Sequence, residues 1–478
     1  MTVLRKSGIL LPVFSLHGNY GIGTLGSAAY EFIDFLSQSG QYYWQILPLN
    51  PTSYGNSPYQ SPSVFAFNPY FIDPDFLVRD GFLNKSDIGC LKEENSGRID
   101  YARLYKTRMS LLRKAAEKVS SRDSDYLSFI EENKFWLSDY GAFMALKEEN
   151  NMLPHYKWTK KITDTARAGN IGITHCKIQF LFSRQWLALK KYANDKGVHI
   201  IGDLPIYPSL DSSDFYFGKE NFLEGEVAAC PPDSFSPNGQ LWGNPIYNWQ
   251  KMEQEGFIWW KERLRQAKRL FDTVRIDHFR GIYEYYSVKE NASTAINGKW
   301  HKGPGMSFVA MIKESFPDLE IIAEDLGFLT DDVRAFFKES GFDGMKILQF
   351  AFGDENSEYL PHNYTKNSVA YTGTHDNPTV KGWLCTCNTK ELLHAMDYLG
   401  VSSVSRLCDS FIRAVLSSVC RVAIIPLQDW LSLGCSGRIN TPGTVGKNWE
   451  FRINESCLTH NLSEKILYYT KLYNRAKE

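Results

Sequence analysis

Four short apolar segments of this 478-residue chain each end in carboxylic acids. The segments are VHIIGD, DTVRIDH, EIIAED and VAYTGTHD, and their acids are Asp203, Asp277, Glu324, Asp325 and Asp376. A buried strand accommodates Val and Ile but not an unpaired carboxylate, so each acid is expected where its strand emerges into a cleft. Paired carboxyl groups can cleave an acetal, because one protonates the leaving oxygen while the other supports the oxocarbenium carbon. The four segments therefore predict an active site.

The neighbours of these acids suggest different roles for them. Arg275 lies two residues before Asp277, so it is predicted on the same side of the strand, where it can keep Asp277 ionised as a nucleophile must be. Glu324 would need a raised pKa, so that it stays protonated until it donates. Asp325 should point the other way along its strand, and we expect it to be structural.

Strand ends that deliver acids to one place are typical of a parallel α/β barrel. Four more buried strands are predicted at 7–14, 42–49, 344–352 and 421–428, which makes eight. Predicted helices at 31–36, 259–270, 331–340 and 405–419 alternate with them. The predicted fold is an α/β protein, a (β/α)8 TIM barrel with inserted, largely helical subdomains. The alternative is a doubly wound open sheet.

Two segments are too long to be simple connections, although residues 1–478 are interpreted as a single catalytic barrel. An insertion at about 52–195 is predicted to be helical, because an apolar stripe repeats at intervals of three and four residues: Tyr105, Met109, Leu112, Ala116 and Val119. A second insertion at about 208–257 contains residues 230–249, which are rich in Pro, Gly, Asn and aromatics. These residues predict an ordered loop that acts as a lid over the cleft.

Composition excludes several classes of partner. A net charge of -1 argues against nucleic acid and favours a neutral substrate. No apolar run reaches the length of a membrane span, and the first strand begins too early to leave room for a targeting peptide, so we expect no membrane contact and a cytoplasmic location. The nine cysteines match no zinc module and are expected to be reduced thiols.

Two other chemistries are alternatives to carboxylate catalysis. His278 and His375 could bind a divalent ion together with strand-end acids, but there is no HExxH motif and no HxH after the first strand. Nucleophilic serine chemistry lacks a GxSxG motif. The sequence therefore predicts neither a metal nor a cofactor.

Aromatic residues make up 14% of the chain, and those on predicted loops are the most informative. Sugar rings present flat C–H faces that match Trp or Tyr planes. The loop aromatics are Tyr54, Tyr59, Phe235, Trp242 and Tyr247. Each could equally be a packing residue, but together with Gln60, Asn244 and His375 they favour a polyhydroxylated ligand.

Several of these segments closely resemble the amylomaltase family of 4-α-glucanotransferases, relatives of the α-amylases. The segments are SPYQSPS (57–63), GDLPIY (202–207), PPDSFSPNGQLWGNP (231–245), VRIDHFRG (274–281), AEDLG (323–327), GTHDNPT (373–379) and RINTPGTVGKNW (438–449). The resemblance implies a barrel with inserted subdomains. It also implies transfer of α-1,4-glucan segments between glucans or maltooligosaccharides, which serve as donor and acceptor, without a cofactor.

The resemblance further implies a role for each matching residue. Asp277 would be the nucleophile, Glu324 the general acid and base, and Asp376 the residue that stabilises the transition state. Arg275 and His375 would flank the reacting glucose, and Asp203 matches the first acidic motif of the α-amylase relatives. The other implied binding residues are Ser57, Tyr59, Gln60, Pro232, Asp233, Phe235, Trp242, Asn244 and Asn440.

The implied mechanism is a retaining double displacement, for which the carboxyl groups of Asp277 and Glu324 should lie roughly 5 to 5.5 Å apart. Departures from the family pattern at Pro208, Phe215 and the Ala229–Cys230 pair leave acceptor preference open. Two alternatives remain at this point. One is a hydrolytic or branching enzyme with the same acids, and the other is a glucan-binding protein that has lost catalysis.

Overall fold

The structure is a computed structural model that describes residues 5–53, 55–93, 95–159, 172–232, 236–327 and 329–477. These residues form twelve strands, numbered in chain order: β1 (Lys6–Leu10), β2 (Tyr43–Gln45), β3 (His199–Leu204), β4 (Phe222–Cys230), β5 (Gln240–Tyr247), β6 (Thr273–Ile276), β7 (Glu284–Lys289), β8 (Lys299–Lys302), β9 (Glu320–Ala323), β10 (Gly344–Ile347), β11 (Ser368–Tyr371) and β12 (Val422–Pro426).

Eight of the strands form a parallel barrel. Neighbouring strands pair in the order β10-β11-β12-β1-β2-β3-β6-β9. Ala323 N donates to Asp343 O at 2.9 Å, and a parallel bridge between Ile322 and Asp343 brings the two outer strands together. All eight predicted strands are present, with shorter ends, so the barrel prediction is confirmed and the open sheet is excluded.

Helices cover the outside of the barrel, because the strands are apolar and buried on both faces. In β11 and β12 every residue is buried. The predicted helices at 31–36, 259–270, 331–340 and 405–419 correspond to Ser27–Gln38, Ile258–Leu270, Asp331–Ser340 and Leu407–Ser417. Further helices on the barrel side are Trp249–Gln254, Arg280–Tyr283, Met306–Ser315, Val380–Trp383, Thr389–Leu399, Leu427–Trp430 and His460–Leu472. None of the helices in the described ranges is long and apolar enough to cross a membrane.

The segment between β2 and β3 is helical, as the apolar stripe predicts. Its helices are Pro74–Arg79, Lys85–Ile88, Tyr101–Glu117, Ser124–Glu132, Leu137–Glu149 and Ile173–Asp195. Aspartates at residues 73, 100 and 123 cap three of them by accepting backbone N–H groups. The stripe was wrong at Tyr105, which is 54% exposed, whereas Arg108 is buried. The Arg108 guanidinium donates hydrogen bonds to the carbonyls of Tyr20 and Ile72, and these contacts cannot be predicted from the spacing of apolar residues.

The second insertion contributes two strands, β4 and β5, to an antiparallel sheet that the loop prediction missed, and β7 and β8, which lie between β6 and β9 in the chain, complete it. Strands β4, β5, β7 and β8 pair in the order β5-β4-β7-β8. The loop prediction rested on the Pro, Gly, Asn and aromatic content of residues 230–249. Pro245 is tolerated within β5 because β5 is an edge strand. Tyr247 also lies in β5 and is fully buried, with its hydroxyl donating to Ile206 O at 2.8 Å. Tyr247 is therefore a packing residue, which is one of the two alternatives that the sequence left open, and its predicted position on a loop was wrong.

The C-terminal segment closes the base of the barrel. Arg475 is fully buried, and its guanidinium donates to backbone carbonyls around the start of β1 and β12. The acceptors are Leu416 O (2.6 Å), Lys6 O (2.9 Å), Ser418 O (3.0 Å), Cys420 O (2.8 Å) and Arg421 O (3.4 Å). Leu416 O and Ser418 O also accept from Arg5 Nη2, and Arg421 O also accepts from Lys6 N, so Arg475 shares these carbonyls with other donors and adds a donor for Lys6 O and Cys420 O.

Candidate active site

Four of the five predicted acids lie at the same end of the barrel: Asp203, Asp277, Glu324 and Asp376. Asp277 directly follows β6 and Glu324 directly follows β9, while Asp203 lies near the end of β3. Asp376 follows β11 by five residues. The carboxyl ends of parallel strands converge at one face of a barrel, which is where catalytic residues of such folds are found.

Arg275 joins two of these acids. The register between β3 and β6 pairs Asp203 with Arg275. Arg275 Nη1 lies 2.7 Å from Asp203 Oδ1, and Nη2 lies 3.0 Å from Asp277 Oδ1. The hydroxyl of Tyr59 donates to the other oxygen of Asp203 at 2.6 Å. Asp203 is fully buried and satisfied, so it orients Arg275, and Arg275 in turn holds Asp277.

Glu324 has only backbone donors as hydrogen-bond partners in the described structure. Its Oε2 accepts from His278 N at 2.6 Å, and its Oε1 accepts from Leu326 N at 3.1 Å. His278 adopts a φ of 46°, in the left-handed region that non-glycine residues rarely occupy. Strain of this kind is stored at functional sites, and here it points a backbone N–H at Glu324.

The two carboxyl groups differ in pKa. Burial, and after it the charge of Asp277, raise the pKa of Glu324 to about 8, although Arg275 and the two backbone N–H donors oppose the rise. Burial also raises the pKa of Asp277, to about 6, while Arg275 opposes the rise. The two groups titrate as a pair. Near neutral pH the pair therefore holds one proton, on Glu324, and Asp277 is ionised.

Asp376 is held by residues of the terminal motif. Asn440 Nδ2 donates to Asp376 Oδ1 at 2.6 Å, and Arg438 Nη2 donates to the Asp376 backbone carbonyl at 2.8 Å. His375 Nε2 lies 3.4 Å from Asp376 Oδ1. The side chain of Asp376 remains 44% exposed, so it is oriented and still accessible from the cleft.

A stack of rings connects Asp376 to the other acids. The rings of Tyr59 and His375 are parallel within 12°, with centroids 5.3 Å apart. Trp449 packs against both, at 5.8 Å from Tyr59 and 5.9 Å from His375. Because Tyr59 also binds Asp203, the stack joins His375 to the group formed by Asp203 and Arg275.

A second group of predicted binding residues lies around β5. Gln60 Nε2 donates to Trp242 O at 3.3 Å and to Asn244 Oδ1 at 3.1 Å, and Asn244 Nδ2 donates to Pro208 O at 2.7 Å. The Trp242 ring meets the ring of His278 edge-on, with centroids 4.8 Å apart. This group therefore abuts the residue that follows Asp277.

The remaining predicted residues are less closely connected to the acids. Ser57 Oγ accepts from Tyr59 N at 3.3 Å and so shapes the turn that presents Tyr59. Pro232 is exposed just beyond the end of β4. Asp325 Oδ1 accepts from Met345 N at 2.7 Å, which supports a structural role. Tyr54, Asp233 and Phe235 lie outside the described residues.

Three features of the site were not singled out from the sequence. Trp449 and Arg438 belong to the motif at 438–449, from which only Asn440 was selected, so the motif itself was the signal. The strained backbone of His278 leaves no mark in residue type. Among the described residues, no group of three or more His, Cys, Asp and Glu side chains is arranged to hold a metal ion.

A barrel with two partly buried carboxyl groups of unequal pKa at the carboxyl ends of its strands defines a class, the barrel enzymes that act on glycosidic bonds. Comparison with known proteins agrees and narrows the class. The family model described as 4-alpha-glucanotransferase matches residues 11–459. The chain belongs to this family.

Full-length relatives share the assignment. The 4-alpha-glucanotransferase of Clostridium butyricum is 46% identical, covering 98% of this chain and 100% of that protein. The enzyme of the same name from Thermus thermophilus is 40% identical, covering 95% of each. Among solved structures, amylomaltase from Streptococcus agalactiae in complex with acarbose superposes with a TM-score of 0.95 at 38% identity, covering 99% of this chain and 100% of that one.

Proposed function

We propose that this enzyme transfers segments of α-1,4-glucan between maltooligosaccharides or longer glucans by a retaining double displacement. Asp277 attacks the anomeric carbon, and Glu324 gives its proton to the departing glycosidic oxygen, which leaves a covalent glycosyl-enzyme. The 4-hydroxyl of a second glucan then gives its proton to Glu324 and displaces Asp277. Configuration at the anomeric carbon is retained because it inverts twice.

The assignment of these roles rests on the different partners of the Asp277 and Glu324 carboxyl groups. A guanidinium contacts Asp277, whereas within the described part of the chain Glu324 accepts only from backbone N–H groups, and the charge of Asp277 raises its pKa. An ionised carboxylate beside a protonated carboxylic acid is the state that the first displacement requires. The proposed roles follow from that difference.

The proposed substrate contacts follow from accessibility and charge. Asp376 and His375 would bind hydroxyl groups of the reacting glucose, since Asp376 is exposed to the cleft and already oriented by Asn440. Hydrogen bonds to the sugar hydroxyls that strengthen as the glucose ring flattens toward the transition state would supply part of the rate acceleration. Tyr59 would stack on a sugar ring beside the cleaved bond.

Transfer rather than hydrolysis requires that an acceptor sugar be held in line while water is excluded. The second insertion, with Trp242 and Asn244 fastened to Gln60, is the proposed acceptor-side lid. We propose that Pro232, Asp233 and Phe235 also bind the acceptor, because they belong to the segment that resembles the family's lid. We further propose that the chain binds acarbose, as the Streptococcus agalactiae relative does.

We also propose that the enzyme works in the cytoplasm on neutral glucans, without cofactor, metal or nucleic acid. The near-zero net charge supports this proposal, as do buried cysteine thiols such as Cys408 and Cys420. Fractionation of cells of the source organism would test it, and recovery of the protein in an extracytoplasmic fraction would contradict it.

Incubation with maltotriose tests the reaction. Glucose and a ladder of longer chains should form while the total number of reducing ends stays constant. Glu324→Gln should lower the rate by about 10²- to 10⁴-fold, the usual contribution of a general acid. The matched control is Asp325→Asn, whose amide oxygen can still accept from Met345 N, and it should remain active. Reducing ends that rise without a ladder would make the enzyme a hydrolase instead.

A further inference from the structure

The loop that carries Asp376 is fastened at both ends to one buried carboxylate with no part in the proposed chemistry. The loop spans residues 372–380, between β11 and the helix Val380–Trp383. Thr372 Oγ1 donates to Asp429 Oδ2 at 2.6 Å, and Val380 N donates to Asp429 Oδ1 at 2.7 Å. Asp429 lies in the helix Leu427–Trp430, directly after β12, and is 1% exposed.

Other contacts shape the middle of this loop. Asn377 Oδ1 accepts from both the backbone N and the Oγ1 of Thr374, at 2.8 and 2.9 Å, which curls the segment before Asp376. Gln349 Nε2 donates to Pro378 O at 2.9 Å, and Thr379 Oγ1 donates to Leu433 O at 2.7 Å. Asp429 differs from these partners because it binds both ends of the loop at once.

Packing alone does not explain a carboxylate at residue 429, because burying a charged group costs free energy. A buried carboxylate loses its hydration and normally needs a cation nearby. Among the ion pairs of the described residues none includes Asp429, so its two hydrogen bonds to the loop are what compensate it. An apolar side chain would fill the same space at lower cost but would leave the loop ends unattached.

We propose that Asp429 is a positioning residue for Asp376, acting by holding both ends of the 372–380 loop. This inference rests on the function proposed for Asp376. Without the carboxylate the two loop ends separate, and the contact between Asp376 and Asn440 is no longer enforced. A displacement of about 1 Å at a group that acts in the transition state costs about 10²-fold in rate.

The test compares Asp429→Ala with Asp73→Ala. Asp73 is a matched control, because it is also buried and also accepts from a threonine hydroxyl and a backbone N–H, Thr24 Oγ1 at 2.6 Å and Phe76 N at 3.0 Å. It caps a helix of the first insertion instead of the catalytic loop. In Asp429→Ala the kcat for maltotriose should fall by about 10- to 100-fold with KM little changed. In Asp73→Ala kcat should be unchanged.

The conservative variant should restore activity. In Asp429→Asn the amide oxygen can accept from Val380 N while the amide N–H donates to the Thr372 hydroxyl, which accepts as readily as it donates. Its kcat should be close to that of the wild type. If Asp429→Ala does not fold, Thr372→Val and Thr372→Ser test the same contact. Only serine keeps the hydroxyl that donates to Asp429, so kcat should fall in Thr372→Val and not in Thr372→Ser.

A double-mutant cycle then separates positioning from general destabilisation. If Asp429 acts through Asp376, the variant Asp376→Asn with Asp429→Ala should be no slower than Asp376→Asn alone. If the two losses in kcat multiply in the double variant, Asp429 does not act through Asp376. The same conclusion follows if Asp429→Ala keeps the wild-type kcat while Asp376→Asn is impaired. Either result would overturn the positioning role of Asp429 and leave the role of Asp376 standing. A wild-type kcat in Asp376→Asn would instead overturn the role proposed for Asp376.

Discussion

Replacing Glu324 with glutamine should stabilise the enzyme at alkaline pH while it slows catalysis. The pKa of Glu324 is about 8 in the folded protein, against an ordinary 4.5. Between these values the native state keeps a proton that the unfolded state releases, so stability is lost as pH rises. Glutamine resembles the protonated acid and cannot ionise, so the variant escapes this loss.

The size of the effect follows from the same two values. Each pH unit between 4.5 and about 8 costs about 1.4 kcal/mol, which would sum to about 5 kcal/mol for a fully buried, isolated group. Glu324 is only partly buried by surface area, so solvent screening should reduce the loss to about 2 to 3 kcal/mol. Unfolding a chain of 478 residues has an entropy of about 1 kcal/mol/K, so the Tm should change by about 2 to 3 °C.

Differential scanning calorimetry of wild type and Glu324→Gln at about pH 5 and about pH 9 measures this effect. The Tm of the variant relative to wild type should be about 2 to 3 °C higher at the alkaline pH than at the acidic pH. Exposed Glu290→Gln is the control and should show no such pH dependence. An equal difference at both pH values, or one that reverses, would refute a burial-raised pKa at Glu324.

Three further predictions concern the acids, their cation and the barrel base. The rate of transfer should follow a bell-shaped pH profile with limbs near 6 and 8, because Asp277 must be ionised and Glu324 protonated, and a flat profile would contradict this. Arg275→Lys should lower kcat by about 10²-fold, since an ammonium cannot bridge Asp203 and Asp277 as the guanidinium does, and an unchanged kcat would refute the bridge. Arg475→Ala should lower the Tm by about 3 °C at unchanged kcat, because buried carbonyls at the end of the barrel remote from the acids, Lys6 O and Cys420 O among them, lose a donor. A large fall in kcat would contradict that separation.

Sequence patterns predicted the barrel well because its signals are local. Strands buried on both faces must be apolar, and the acids that end them mark the face where strands emerge. The spacing of Arg275 and Asp277 placed both side chains on one side of a strand, and the structure confirms that Arg275 contacts Asp277.

The missed features depend on contacts between distant segments. The content of Pro, Gly and Asn in residues 230–249 predicted a loop, and only its place at a sheet edge makes Pro245 a strand residue. Tyr105 fitted the apolar stripe, but a buried Arg108 with carbonyl partners takes the inner position. Trp449 packs on Tyr59 and His375, although almost 400 residues separate it from Tyr59. No local pattern encodes such contacts.

Trapping the glycosyl-enzyme tests the central claim most directly. Glu324→Gln should turn over an unactivated glucan about 10²- to 10⁴-fold more slowly, but an α-maltosyl fluoride donor needs no proton to release fluoride, so its first displacement should proceed and the second should stall. Peptide mapping by mass spectrometry should find a maltosyl group on Asp277. Its absence from Asp277 together with continued fluoride release, or a label on another carboxylate, would contradict the double displacement through this residue.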